Sequence, residues 1–133
     1  MVTGLHWTAW VTLAALVMYA WVLYNVGKAR GKFGIHAPAC DGPVEFLSVL
    51  RVQANTVEQM VAFFPALFVC AACYNDVFAA VFGAIWVVAR ILYAVGYYQE
   101  PKKRSLGFNL SALAIVALMG GTAFGLIVRS LPF

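Results

Sequence analysis

Residues 5–26 read LHWTAWVTLAALVMYAWVLYNV and carry no charged side chain. A helix that crosses a bilayer needs about 20 predominantly apolar residues, and this run supplies them. It exceeds the apolar core of a secretion signal, roughly 7–15 residues, and no basic segment precedes it. It is therefore expected to remain in the chain as a first span. Three further apolar runs follow, at about 46–74, 77–98 and 105–128. The 133 residues hold four such spans, short loops and little else. The expected fold is an all-α integral membrane protein: one domain, 1–133, built as a four-helix transmembrane bundle.

Composition agrees. The chain is 64% hydrophobic and 11% charged, where soluble domains run at about 45–50% and about 25%. A soluble domain, a disordered chain and a disulfide scaffold all fit poorly. The net charge is +4. Its nine basic residues sit mostly at the ends of apolar runs, which suits membrane topology and not a nucleic-acid groove. Cys40, Cys70 and Cys73 are odd in number. The Cys70-x-x-Cys73 pair has no second ligand pair near it, so no metal is expected.

The charges also orient the chain. Lys28, Arg30, Lys32 and Arg51 lie in or beside the first loop; Lys102, Lys103 and Arg104 lie in the third. The second loop, around Asn75 and Asp76, has no basic residue. The positive-inside rule makes the first and third loops cytoplasmic. Only Arg129 opposes this.

The second apolar run is unusual. Its first half contains RVQANTVEQ at 51–59, and its second half, MVAFFPALFVCAACY, is apolar apart from a helix-bending Pro65. Arg51, Asn55 and Glu58 recur at i, i+4 and i+7, on one helical face. Gln53 lies off that stripe. The third run answers with Arg90, Tyr93 and Tyr97, and Arg104 follows just beyond it. A charge at mid-bilayer costs about 2.5–3.5 kcal/mol on insertion scales. Such a face must point into the bundle, a subunit interface or a wet cavity. One Arg–Glu pair could serve as interhelical glue. The excess of arginine, with two amides and two tyrosines, instead suits a small anionic ligand. Guanidiniums clamp carboxylates, amides pair with peptide groups, and Glu58 could take an amine. A short peptide with two carboxylates and an amine fits. Arg90 sits deeper and divides evenly between a structural and a ligand role.

The string RVQANTVE at 51–58, with ARILYAVGY at 89–97 and Arg104, resembles the MAPEG family, the membrane-associated proteins of eicosanoid and glutathione metabolism. The similarity spans most of the chain and is closest to the branch of leukotriene synthase and the type 2 and 3 microsomal glutathione transferases. It implies a homotrimer with glutathione as co-substrate, held between neighbouring subunits near the cytosolic face. By motif, Arg51, Asn55 and Glu58 would bind the peptide, Gln53 would join from the same segment, and Tyr93 and Tyr97 would contribute from the third helix. Arg30 would meet a carboxylate. Arg104 would face the sulfur as the catalytic residue. Gly31 and Gln59 stand where leukotriene synthase has arginine and tyrosine, and Pro65 lies one turn later than its proline. These departures point away from eicosanoid synthesis and leave general conjugation of lipophilic electrophiles or hydroperoxide reduction intact.

The thiolate role has a physical basis. A free thiol has a pKa of about 8.5, and the thiolate is the nucleophile. Lowering it two units takes about 2.7 kcal/mol, within reach of one guanidinium in a low-dielectric pocket. Two other readings compete: a small four-helix transporter, and a lipid-binding scaffold of the same fold without catalysis. The first span lacks the ionisable residue a transporter would use, and Arg104 speaks against the scaffold. The short tail without a retention signal suits a bacterial inner membrane better than the endoplasmic reticulum.

Other residues have simpler readings. Trp7, Trp10, Trp21 and Phe133 suit interfacial or lipid-facing positions. His6 and His36 lie at boundaries, and Lys102 and Lys103 suit topology or lipid headgroups. Gly120, Gly121 and Gly125 suit close helix packing.

Overall fold

The computed structural model describes residues 4–131, so Phe133 lies outside the described residues. Helices make up its regular structure: α1 (His6–Phe33), α2 (Val44–Cys73), α3 (Asp76–Gln99), a 3-10 turn (Pro101–Arg104) and α4 (Ser105–Ser130). Four helical segments are long and apolar enough to cross a membrane, as the sequence implies.

The ends of these helices differ from the expected boundaries for local reasons. The first span does not stop at Gly27. α1 runs on through Lys28, Arg30 and Lys32, all helix formers, and ends where Gly34 turns left-handed at φ +65°. Its 28 residues make it about 42 Å long at 1.5 Å per residue, longer than a hydrocarbon core of about 30 Å. The basic last turns therefore project beyond the core. The expected third loop is mostly helical too: Pro101 opens a 3-10 turn that feeds directly into α4. α2 continues through Pro65 to Cys73 without a break.

The tight turn at Asn75 and Asp76 holds two helix starts together. The Asn75 side chain caps α3 by accepting from the Phe78 N–H at 2.9 Å. Asp76 reaches across to α1, where its carboxylate accepts from the N–H groups of Trp7 (2.9 Å) and Thr8 (3.0 Å). An anion there meets both unpaired donors and the positive helix end. On the same side, Arg129 of α4 donates to the Ala72 carbonyl at the end of α2 (3.2 Å).

Lipid is as apolar as a leucine side chain, so burial alone does not join helices in a bilayer. Close approach and polar bonds must do it. Phe63 of α2 stacks on Trp86 of α3, with ring centres 3.8 Å apart. The Trp86 indole N–H donates to Gln59 Oε1 at 3.0 Å. Gln53 donates to the Tyr19 hydroxyl of α1 (3.2 Å), and Asn25 of α1 to the Tyr98 hydroxyl of α3 (3.4 Å). Gly121 and Gly125 permit the close packing expected of them. A Cβ at Gly121 would meet the Phe78 ring at 2.6 Å, and one at Gly125 would collide with the Cys73 carbonyl. Gly120 differs: it faces open space, because it lies one residue round the helix from the contact.

Candidate functional site

The polar residues of α2 and α3 meet at one end of the bundle, beside the junction of the 3-10 turn with α4. Two glycines bring that junction in. A Cβ at Gly96 would meet the Lys103 carbonyl oxygen at 2.6 Å, and one at Gly107 would collide with the backbone of Tyr93 and meet the Ala89 carbonyl oxygen at 2.7 Å. The turn and the first turn of α4 therefore lie directly on the last turns of α3. This contact decides where Arg104 sits.

The result is a groove of about 490 Å³ lined by Arg51 and Asn55 of α2, Tyr93 and Tyr97 of α3, Arg104, and Ser105, Phe108 and Asn109 of α4. Its size lies within the range of small-molecule sites, about 300–1,000 Å³. Arg51 and Arg104 are exposed, Tyr93 is buried and Tyr97 half-buried. The tyrosine rings meet edge to face, 5.6 Å between centres. The Arg104 guanidinium lies 5.5 Å from the Tyr97 ring centre and donates to the Pro101 carbonyl (3.2 Å). The Asn55 side chain donates to Glu58 Oε2 at 3.5 Å. Its own Oδ1 is buried and has no partner. A buried acceptor left unpaired is costly, so this wall of the groove suits a ligand that brings a donor.

Five of the residues picked out in the sequence thus share one groove: Arg51, Asn55, Tyr93, Tyr97 and Arg104. Three do not. Arg30 donates to the carbonyls of Ala39 (2.8 Å) and Ile35 (3.4 Å), tying down the loop after α1. Gln53 points toward α1 and Tyr19. It borders a separate depression of about 440 Å³, shared with Cys40 and Arg51. Glu58 is exposed, one turn beyond Asn55.

Arg90 is fully buried. It is held by Thr56 at 2.8 Å and by the Tyr93 ring at 4.1 Å, and not by a carboxylate. The interhelical Arg–Glu pair weighed from the sequence therefore does not involve Arg90, whose contacts are this hydroxyl and ring. Ser105, Phe108 and Asn109 escaped the sequence reading because they open an otherwise apolar span. The spacing of Arg104 to Phe108, i to i+4, could have shown that they share a face. Among the described residues no group of His, Cys, Asp and Glu could hold a metal ion.

Residues 8–124 match the MAPEG family. The chain belongs to that family. Among its relatives is an uncharacterised protein of the cyanobacterium Synechocystis, 42% identical over 94% of this chain and 91% of that one. Human microsomal glutathione S-transferase 2 is 37% identical over 83% of this chain and 76% of its own. Mouse leukotriene C4 synthase is 33% identical over 93% and 83% respectively. Membership of this membrane family, with four bilayer-length helical segments, makes this chain a multi-pass integral membrane protein. As a MAPEG protein it stands among glutathione-related transferases.

Proposed function

We propose that this protein is a membrane glutathione transferase that activates the glutathione thiolate for attack on lipophilic electrophiles. One observation carries the reading: Arg51, Asn55, Tyr93, Tyr97 and Arg104, from three separate segments, converge on one groove. Arg51 clamps a glutathione carboxylate. Asn55 accepts a peptide or amine N–H through its unpaired Oδ1. Glu58, beside Asn55, takes the ligand's amine. The tyrosine hydroxyls hold the peptide, and Arg104 faces the sulfur.

The chemistry is then electrostatic. Arg104 stabilises the thiolate more than the thiol, so the proton leaves to water. The sulfur forms a carbon–sulfur bond with the electrophile, and the leaving group departs. With a hydroperoxide the sulfur attacks the distal oxygen instead, releasing an alcohol; a second glutathione then releases water and forms the disulfide. Phe108, exposed on α4, offers an apolar wall by which such substrates arrive from the bilayer.

The relatives' glutathione-linked names support this assignment. A homotrimer completes it. Arg30 and Gln53 lie outside their own protomer's groove, so a site between subunits would take them from the neighbouring copy. We place the first and third loops on the cytoplasmic side of a bacterial inner membrane, in keeping with the charge pattern and the cyanobacterial relative.

The test is glutathione binding to detergent-purified protein, followed by ultraviolet difference absorbance of the thiolate. Wild type is expected to bind and to show thiolate; Arg104→Ala is expected to lose the thiolate. Wild type that binds no glutathione overturns the assignment and moves a transporter or scaffold role to first place.

A further inference from the structure

Arg90 is the one fully buried charged side chain among the described residues, and the proposed chemistry does not use it. It is 0% exposed and lies near the middle of neither loop but within α3. Its Nη2 donates to Thr56 Oγ1 at 2.8 Å, and Thr56 in turn donates to the Val52 carbonyl at 2.7 Å. Its Nε and Nη1 have no hydrogen-bond partner. No carboxylate answers its charge in the contacts it makes. The nearest electron-rich group is the Tyr93 ring, 4.1 Å from the guanidinium carbon to the ring centre.

A residue kept only for packing would not look like this. Even a buried ion pair can often be exchanged for apolar side chains of similar volume at no loss of stability, and an unpaired guanidinium in a membrane span is costlier still. Its contacts run in one direction. Arg90 sits over Tyr93, Tyr93 meets Tyr97 edge to face at 5.6 Å, and Arg104 lies 5.5 Å over Tyr97. The two tyrosines line the groove and the buried arginine does not. A cation against a ring face both fixes the ring and draws electron density from it, which makes the phenol hydroxyl a stronger hydrogen-bond donor.

We infer that Arg90 is a positioning residue for the ligand groove, fixed by Thr56, that acts through the Tyr93 ring to set how tightly the Tyr93 hydroxyl holds anionic glutathione. This rests on the glutathione reading above. Because Arg104 sits at the other end of the series, Arg90 controls affinity and leaves thiolate formation to Arg104.

The experiment measures glutathione Kd, bound thiolate at saturation and thermal stability for wild type, Arg90→Met, Thr56→Val, and each of these variants combined with Tyr93→Phe. In Arg90→Met, affinity is expected to fall about tenfold, or about 1.4 kcal/mol. Bound thiolate should stay within about twofold, and stability should be unchanged or higher. In the Tyr93→Phe background the same substitution should cost less than about twofold, because the hydroxyl it serves is gone. Thr56→Val, which frees Arg90 while keeping its charge, should weaken binding about threefold in wild type and not in Tyr93→Phe. An unchanged Kd, or an equal fall in both backgrounds, overturns the inference and leaves the transferase reading standing. If Arg90→Met does not fold, Thr56→Val gives the same decision. Wild type that binds no glutathione overturns both.

Discussion

Gly107 of α4 lies against the backbone of Tyr93 of α3, so closely that a Cβ there would collide with the Tyr93 amide. One residue without a side chain thus seats a whole helix start beside the tyrosine that forms the groove wall. The groove depends on this contact as much as on any group that lines it. Gly107→Val should push α4 off α3 and cost about 1–3 kcal/mol, the usual penalty of overpacking. Glutathione affinity should fall with it, since Arg104, Ser105, Phe108 and Asn109 all move with α4. Thermal unfolding and equilibrium binding, measured together, check both. Retention of full affinity in a stable Gly107→Val protein would show that the groove does not need this seat.

Arg104 has a separable role. Arg104→Ala should bind glutathione within a few-fold of wild type, because Arg51, Asn55 and Tyr93 remain. It should lose the thiolate: removing two units of pKa depression, about 2.7 kcal/mol, returns the bound thiol toward about 8.5. Conjugation to a small aromatic electrophile at neutral pH should drop roughly a hundredfold and recover as pH rises. The sign follows from the mechanism. Only the ionised sulfur attacks, and without the cation ionisation needs a higher pH. A fall that no rise in pH repairs would assign Arg104 to binding.

At the opposite end of the bundle, Asp76 accepts from the first N–H groups of α1. Asp76→Ala removes a cap and an anion at a helix N-terminus, and should lower stability by about 0.5–1 kcal/mol. Glutathione binding should not change, since the groove lies at the other end. The check is detergent-resistant melting followed by binding at a temperature where both proteins are folded. An affinity loss here would mean that the two ends are coupled.

The charge pattern makes a topological prediction. Cys40 is exposed in the first loop, whereas Cys70 is buried in α2. In a protein carrying Cys70→Ala and Cys73→Ala, a membrane-impermeant thiol reagent should label Cys40 in inside-out vesicles and not in right-side-out ones. Reversal of that labelling would place the basic loops outside and overturn the positive-inside assignment.

Much of this molecule was legible in order of sequence. Four apolar runs are enough for four bilayer-length helices, because in hydrocarbon a chain must satisfy its backbone groups within each segment. The polar stripe of Arg51 and Asn55 and the pair Tyr93 and Tyr97 were legible too, since a helix places residues three and four apart on one face. Span ends were less so. Lys28, Arg30 and Lys32 read as loop, yet charged residues with good helix propensity simply extend α1 into the aqueous layer until Gly34 stops it.

What only the tertiary structure decided is which stripes meet. Periodicity gives a residue's face on its own helix and says nothing of the helix across from it. Arg90 therefore read as either a structural or a ligand residue, and packing set it against Thr56 and Tyr93. Gln53 read as lying off the stripe of Arg51 and Asn55, and packing supplied the surface it faces, at Tyr19. Ser105, Phe108 and Asn109 became groove residues only because Gly96 and Gly107 let two backbones touch. Close approach depends on atoms that glycine lacks, and at which helix pair that space is used is settled by the fit of two surfaces far apart in the chain.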